Sequence, residues 1–417
     1  MDRFLDKINK FVPTKWRGVL DHSGFRRYFK NTGWMFFGQM FSLLVSFFIG
    51  AWLARYLGPE TYGVFNYAMA FSGLFGFISD LGINSILTRE LVKFPQKRDE
   101  LLGTSFYLKI IGGLIAILLS ILSVLLFQTS PLIKLLVILF SFSFVLQSIN
   151  VIVIYFQSEV KSKNNVKAVL VATIISSLLK VSVILLGYGI IWIVVIYVLD
   201  SLWQGLGFLR AYKKCGLKIK KWHFNKVLAR EILKNSWPLM LASAAGTIYL
   251  RIDQVIIGTL LSTREVGLYA AAVKLVEVWY FLPIIISSSI FPAIINAKKT
   301  SQELYKSRLK NFYILMTIIP ILIAIPISIF AKQIIYILFG SGYLESVNIL
   351  RIYIWSSLGL FLSWAISQYL TSENLVKTIF WLNCLVQTPH YPGYRLIHLA
   401  GKCDRCTAHQ ISAYVPE

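Results

Sequence analysis

Charge is what this sequence has least of. Only 15% of its 417 residues are Asp, Glu, Lys or Arg, while 56% are hydrophobic. A soluble globular chain is about a quarter charged and half apolar. Two soluble domains of this combined size could bury large cores, but they would still need a charged surface. Too few charges remain to make one. Cysteine is scarcer, with four in all, which excludes a disulfide framework. Several long stretches have no charge whatever: residues 31–54, 61–79, 110–133, 135–158, 181–199, 278–297, 311–331 and 352–372. About 20 apolar residues in a helix cross the ~30 Å hydrocarbon layer of a membrane. The expected class is an all-α polytopic membrane protein. A barrel is excluded because barrel strands alternate polar and apolar residues over about ten positions. No cleavable secretion signal is visible, since residues 1–30 are polar and basic. Phe4, Leu5, Ile8, Phe11 and Val12 share one helical face, so this leader reads as either an interfacial helix on the membrane or a solvated segment.

The formal net charge is +23, yet its placement argues against nucleic acid. Ten spans are expected at 31–54, 61–83, 110–128, 135–157, 168–187, 188–209, 236–261, 266–297, 311–331 and 352–372, with an eleventh beginning near Thr378. Alternate connections (1–30, 80–109, 158–167, 210–235 and 298–310) hold thirty Lys and Arg between them, and the opposite ones only five. Positive residues collect on the cytoplasmic side, so the N-terminus and the 210–235 connection are expected there. Expected domains are a leader (1–30), a six-span lobe (31–210), a basic cytoplasmic linker (211–235), a second lobe of four spans and part of a fifth (236–383), and an atypical tail (384–417). Lys30-Asn31 and Lys234-Asn235 open the two halves 204 positions apart, and at the same offset Leu57 meets Leu261 and Gly63 meets Gly267. Parallel repeats of this kind are a transporter architecture with the substrate site between lobes. The expectation is therefore two helical lobes of 6+6 type, the second incomplete, around an inter-lobe cavity.

Leu57-Gly58-Pro59-Glu60-Thr61-Tyr62-Gly63, followed by Asp80-Leu81-Gly82-Ile83, resembles the first hairpin of bacterial polysaccharide repeat-unit flippases of the multidrug/oligosaccharidyl-lipid/polysaccharide exporter superfamily. Arg251-Ile252-Asp253, Val266-Gly267-Leu268-Tyr269, Phe291-Pro292 and the 338–343 stretch Leu-Phe-Gly-Ser-Gly-Tyr are similar to later landmarks of that family. The resemblance runs from about residue 30 to residue 380. It implies movement of undecaprenyl-pyrophosphate-linked oligosaccharide across the bacterial cytoplasmic membrane by alternating access, for O-antigen, capsule or a related surface polysaccharide. Implied partners are that lipid-linked cargo, membrane lipids, a coupling H⁺ or Na⁺, and polysaccharide polymerase machinery, with no cofactor.

Ionisable groups inside spans need partners or water. Such groups here are Lys180, Asp200, Arg251, Asp253, Lys274 and Glu277, with Asp80 and Asn84 near a helix end, where a cap facing water is the plainer reading. Arg251 and Glu277 lie at nearly equal depth on the two arms of one helical hairpin, as do Asp253 and Lys274. Both pairs cannot form directly between two straight helices, because residues 251 and 253 are about 200° apart on a helix while Lys274 and Glu277 share a face. Lys180 and Asp200 differ in estimated depth by ~8 Å. A pyrophosphate headgroup calls for cations, so Arg251, Lys274, Lys180, Arg55 and Lys30 are the candidate headgroup ligands. Asp253, Glu277, Asp200 and Asp80 are the candidates for ion coupling or pairing. For Arg55 and Lys30 the alternative is snorkelling to the interface. Gly112-Gly113 and the Gly73, Gly76 pair read as close helix packing.

The tail holds three of the five histidines and three of the four cysteines. Together with Pro389 and Pro392 it reads as an aberrant terminus that forms no packed span. His398, Cys403, Cys406 and His409 fit no usual zinc spacing, so no metal site is expected. Two other functions stay open. One is an ion-coupled drug or cation antiporter of the same fold, which the intramembrane cations disfavour. The other is a membrane polymerase or glycosyltransferase, for which no catalytic constellation is visible. The charge count predicts a sidedness that labelling can check. In intact cells an impermeant maleimide should label an introduced cysteine near Gly342 and spare one near Trp222, and labelling near 222 would refute the assignment.

Overall fold

The computed structural model describes residues 23–372, with side chains from 31 to 370 apart from 288–289, 292 and 298–300. The leader's apolar face, the eleventh span and the tail, with its histidines and cysteines, lie outside those residues. The described chain is helical: α1 (Ser23–Gly73), α2 (Gly76–Asp80), α3 (Ile83–Lys93), α4 (Arg98–Phe127), α5 (Pro131–Ser141), α6 (Ser143–Leu146), α7 (Val151–Ser158), α8 (Lys163–Leu185), α9 (Ile190–Lys214), α10 (Lys226–Leu260), α11 (Thr263–Glu277), α12 (Phe281–Thr300), α13 (Gln302–Ile329), α14 (Ala331–Phe339), α15 (Ser346–Tyr353) and α16 (Ser356–Ser372). Nine helical segments among the described residues are long and apolar enough to cross a membrane. The first, Asn31–Gly73, has 43 residues and would measure about 65 Å if straight, twice the hydrocarbon thickness. It therefore contains two of the expected spans. They meet at Gly58, whose φ of 71° and ψ of 168° are open only to glycine. Pro59 then starts the second arm, where a missing N–H costs nothing.

The chain forms two compact units that divide between Val266 and Gly267. In the first, α3, α4, α7, α9 and α10 share a core that includes Leu87, Leu102, Val151, Phe156, Tyr212 and Ile232. Helix α4 explains how the helices come so close. Its inner face carries Gly103, Ser105, Gly112, Gly113, Ala116 and Ser120, all buried, while Leu114, Leu118, Leu122 and Leu125 are exposed on its outer face. Small residues let backbones approach where lipid offers no hydrophobic drive. A Cβ on Gly112 would lie 2.6 Å from the Ile78 carbonyl oxygen, and one on Gly113 would lie 3.1 Å from the Phe144 carbonyl. The close-packing reading of this pair therefore holds.

The second membrane crossing is discontinuous. It stops at Gly73, resumes as α2, and breaks again at Leu81 (φ 52°) and Gly82 (φ 65°) before α3 begins. Irregular backbone at membrane depth is tolerated where it is buried in protein. Here the cover is α10, which packs on both α2 and α3. A Cβ on Gly82 would meet the Met240 nitrogen at 2.5 Å and the Ser236 oxygen at 2.7 Å. Further along, α10 receives the Tyr67 ring in the space a side chain on Gly258 would fill. The Tyr67 hydroxyl lies 3.3 Å from Thr259 Oγ1 and accepts a hydrogen bond from the Gln128 amide. In the second unit, α12, α13 and α16 pack around Ile294, Phe312, Met316, Phe361 and Ala365. The Ser346 hydroxyl donates to the Leu268 carbonyl at 2.8 Å.

Gly82 combines a positive φ with contact, whereas Gly187 has a φ of 71° and nothing within 4 Å of a Cβ. Gly187→Ala should therefore cost only the left-handed backbone penalty of ~1–2 kcal/mol. Gly82→Ala should lower the melting temperature of the detergent-purified protein by clearly more. Equal shifts for the two variants would mean that α10 does not press on the break.

Candidate functional site: charges within the membrane spans

The best-defined polar cluster forms around a residue that the sequence reading passed over. Lys109 lies three turns inside α4 and is 4% exposed. Its ammonium donates to Asp80 Oδ1 and to Asn84 Oδ1, each at 2.7 Å. The Asn84 amide nitrogen donates in turn to Asp80 Oδ1 at 2.7 Å. Asp80 ends α2, where the last carbonyls already carry partial negative charge. A carboxylate there is unfavourable alone, and the ammonium answers both. Gly112, one turn beyond Lys109, lets α4 approach α2 closely enough for this contact. Asp80 is therefore more than a helix-end cap facing water, although its side chain is still 34% exposed. Lys109 was counted with the 80–109 connection because the charge-free run begins at residue 110. The structure starts the helix at Arg98, which places Lys109 in the interior. Its position one turn before the Gly112-Gly113 pair was the available signal.

A second cluster joins α8 and α9. Buried Lys180 sets its ammonium 3.7 Å from the centre of the Tyr197 ring, a cation–π arrangement that desolvation strengthens. Tyr197 is held by Phe65 and Phe140, at ring distances of 5.1 and 6.5 Å. Asp200, one turn along α9, accepts from the Gln204 amide at 3.3 Å and feels the Lys180 charge. Its other carboxylate oxygen, Oδ1, is buried without a hydrogen-bond partner among the described residues. The Lys180 ammonium thus rests on the Tyr197 ring, and Asp200 lies close enough for that charge to act on its carboxylate.

Arg251 is half-buried on α10, ~14 Å before the helix end at Leu260. Its Cγ lies 3.9 Å from where Gly73 would carry a Cβ, so the bare glycine leaves room beside it. Within the first unit no described carboxylate pairs with the Arg251 guanidinium. Asp253 is half-buried on the same helix. In the second unit Lys274 is half-buried and Glu277 exposed, both on α11. Arg55 is exposed just before the Gly58 kink, and Lys30 lies in α1 with its side chain outside the description. Among the described residues no three His, Cys, Asp or Glu side chains are grouped to hold a metal.

The exposures of Lys109 and Asp80 rank the cost of breaking their pair. Asp80→Asn strands a buried ammonium and should cost roughly 3 kcal/mol or more. Lys109→Met strands a carboxylate that can still reach water and should cost less. Combining the two should bring the melting temperature back above that of Asp80→Asn alone. A double variant that adds both losses would show that the pair is not coupled.

Comparison with known proteins places this geometry. A solved structure of the lipid II flippase MurJ, in an inward closed conformation, superposes with a TM-score of 0.66 at 16% identity, covering 84% of this chain and 78% of that one. An inward-facing multidrug-resistance MATE transporter of the MOP superfamily gives 0.53 at 15% identity, over 84% and 87% of the two chains. The eukaryotic MATE transporter AtDTX14 gives 0.51 at 13% identity, over 91% of each. At these identities the likeness is one of fold: an all-α, two-lobe membrane architecture. No curated protein matches the chain in sequence. Residues 28–298 match the polysaccharide biosynthesis protein family over most of the chain, and with nine apolar helices among its described residues the protein is a multi-pass membrane member of that family.

Proposed function

We propose that the protein flips an undecaprenyl-pyrophosphate-linked oligosaccharide across the bacterial cytoplasmic membrane by alternating access, with its N-terminus in the cytoplasm, to supply a surface polysaccharide such as O-antigen or capsule. The observation that carries this reading is Arg251. It is a half-buried guanidinium deep in a span, without a carboxylate partner among the described residues of its unit and beside a residue that has no side chain. Charge in that position needs an anion or water. A pyrophosphate supplies the anion, and the planar fork of arginine matches its oxygens two at a time. The family match and the fold of a flippase named for lipid II support lipid-linked cargo. The role is transport rather than catalysis.

Arg251 is the first headgroup ligand in this reading, and Lys274, Lys180, Arg55 and Lys30 are further cations along the route. Lys180 is held by Tyr197 and Asp200, so binding a headgroup there requires an exchange of partners. Asp253, Glu277, Asp200 and Asp80 are the groups assigned to a coupling H⁺ or Na⁺ or to pairing with these cations. Polysaccharide polymerase machinery is the expected consumer of the product. The MATE likeness raises the drug or cation antiporter as a second reading. Lys180, Arg251 and Lys274 at membrane depth favour anionic cargo over it, because cationic substrates favour acidic or aromatic cavities.

Surface glycan in a flippase-deleted host tests the assignment. Arg251→Ala should cut export roughly tenfold or more at normal protein levels, the scale of a lost hydrogen bond to a charged group. Arg251→Lys should be partly active, because the charge survives and the fork does not. Exchanging charges as Arg251→Glu with Glu277→Arg should leave the protein in the membrane but without export. Full export from Arg251→Ala would overturn the proposal.

A further inference from the structure

We propose that residues 210–234 form a preorganised binding shelf for the headgroups of anionic phospholipids in the leaflet they face. This stretch carries Arg210, Lys213, Lys214, Lys218, Lys220, Lys221, Lys226, Arg230 and Lys234 against a single acid, Glu231. All nine cations are exposed. None of them pairs with a carboxylate among the described residues. A bias of positive charge toward one side of the membrane requires only that such residues be present. It does not require that they be held in place, and these are.

The connection between α9 and α10 is fastened to the end of α4. The Trp222 indole donates to the Tyr212 hydroxyl at 3.2 Å, and its ring packs edge-on against Tyr212 and Phe106 at 5.7 and 5.5 Å. The His223 backbone lies so close to Gly103 that a Cβ there would come within 2.5 Å of the His223 carbonyl oxygen. The Asn225 backbone N–H donates to Thr104 Oγ1 at 3.1 Å, while its side chain caps α10 by accepting from the Val227 and Leu228 nitrogens. A one-turn 3₁₀ helix at Ile219–Lys221 is thereby fixed with Lys218, Lys220 and Lys221 pointing outward.

Helix α10 continues the pattern. Lys226, Arg230 and Lys234 recur every fourth residue and so share one side of the helix. Leu233 and Trp237 lie on that same side, with Val227 at its edge, and these apolar side chains are 38%, 56% and 77% exposed. Ala229, Ile232 and Ser236 face the opposite way and are buried. Cations interleaved with exposed apolar side chains suit the boundary between headgroups and acyl chains, where each finds its own solvent. Basic clusters beside a membrane span attract anionic lipid, each cation adding to the attraction. The shelf therefore matches a phosphate-bearing anionic surface in charge and the outer acyl region in polarity.

The test uses the full chain, purified in a neutral detergent, with phosphatidylglycerol or phosphatidylcholine added and the melting temperature as readout. Anything that binds only the folded state raises that temperature. Phosphatidylglycerol should raise it by several degrees more than phosphatidylcholine. The variant Lys218→Gln, Lys220→Gln, Lys221→Gln, Arg230→Gln should melt like the parent without lipid and lose most of that difference. Replacing the three lysines with arginine should keep it. If the fourfold variant does not fold, Lys220→Gln with Lys221→Gln, both on the exposed turn, should still lose part of the difference. An undiminished phosphatidylglycerol shift in these neutralised variants, or an equal response of the parent to both lipids, overturns the proposal. The readout is independent of export, so it can fail while the flippase assignment stands.

Discussion

A lysine ammonium buried in a membrane-spanning helix has to be met by an anion or its equivalent, and much of the first unit is arranged around that requirement at Lys109. Its contact with Asp80 and Asn84 is possible because Gly112, in the small-residue face of α4, lets that helix lie against α2. The same contact neutralises the end of α2 at the point where the second crossing breaks. The break in turn leaves Gly82 in a left-handed conformation against the backbone of α10. A stripe of small residues, a buried ion pair and an irregular helix are thus three aspects of a single packing solution. Removing one member leaves the others with unmet charge or unfilled space.

The membrane charges then sort by how completely the protein answers them. Lys109 has two oxygen acceptors, and Lys180 has an aromatic face with a carboxylate nearby. Among the described residues of its unit, Arg251 has neither. A group that is satisfied at rest contributes to holding helices in place. One that is not creates an affinity for something mobile. This difference supports assigning cargo to Arg251 and scaffolding to Lys109, although both are cations at membrane depth.

The spans were legible in the sequence because hydrocarbon excludes charge, and charge-free runs of about 20 residues mark where it lies. Their ends were not. Helices continue past the hydrocarbon into the polar layer: α4 begins at Arg98 rather than 110, α9 runs to Lys214, and α10 begins at Lys226. That overrun is why Lys109 was read as a loop charge. The Lys180–Tyr197 contact was hidden for a different reason. Depth estimates place Cα atoms on two helices, whereas a lysine side chain spans several ångströms and an aromatic face can substitute for a carboxylate. Arg251 stood out from sequence alone because it lies deep in a span and the two ion pairs of its hairpin cannot both form directly between straight helices. Its neighbour Gly73 had been read simply as a packing residue, and its use beside Arg251 became visible only in three dimensions.

The kink at Gly58 has an effect at the membrane surface. Because one residue joins the first two crossings, the chain reverses there without a protruding loop. A protease, an antibody or a phage protein approaching from that side meets two helix ends and no loop to grip. An epitope tag or fluorescent domain spliced in at this point would have to break a helix to be displayed.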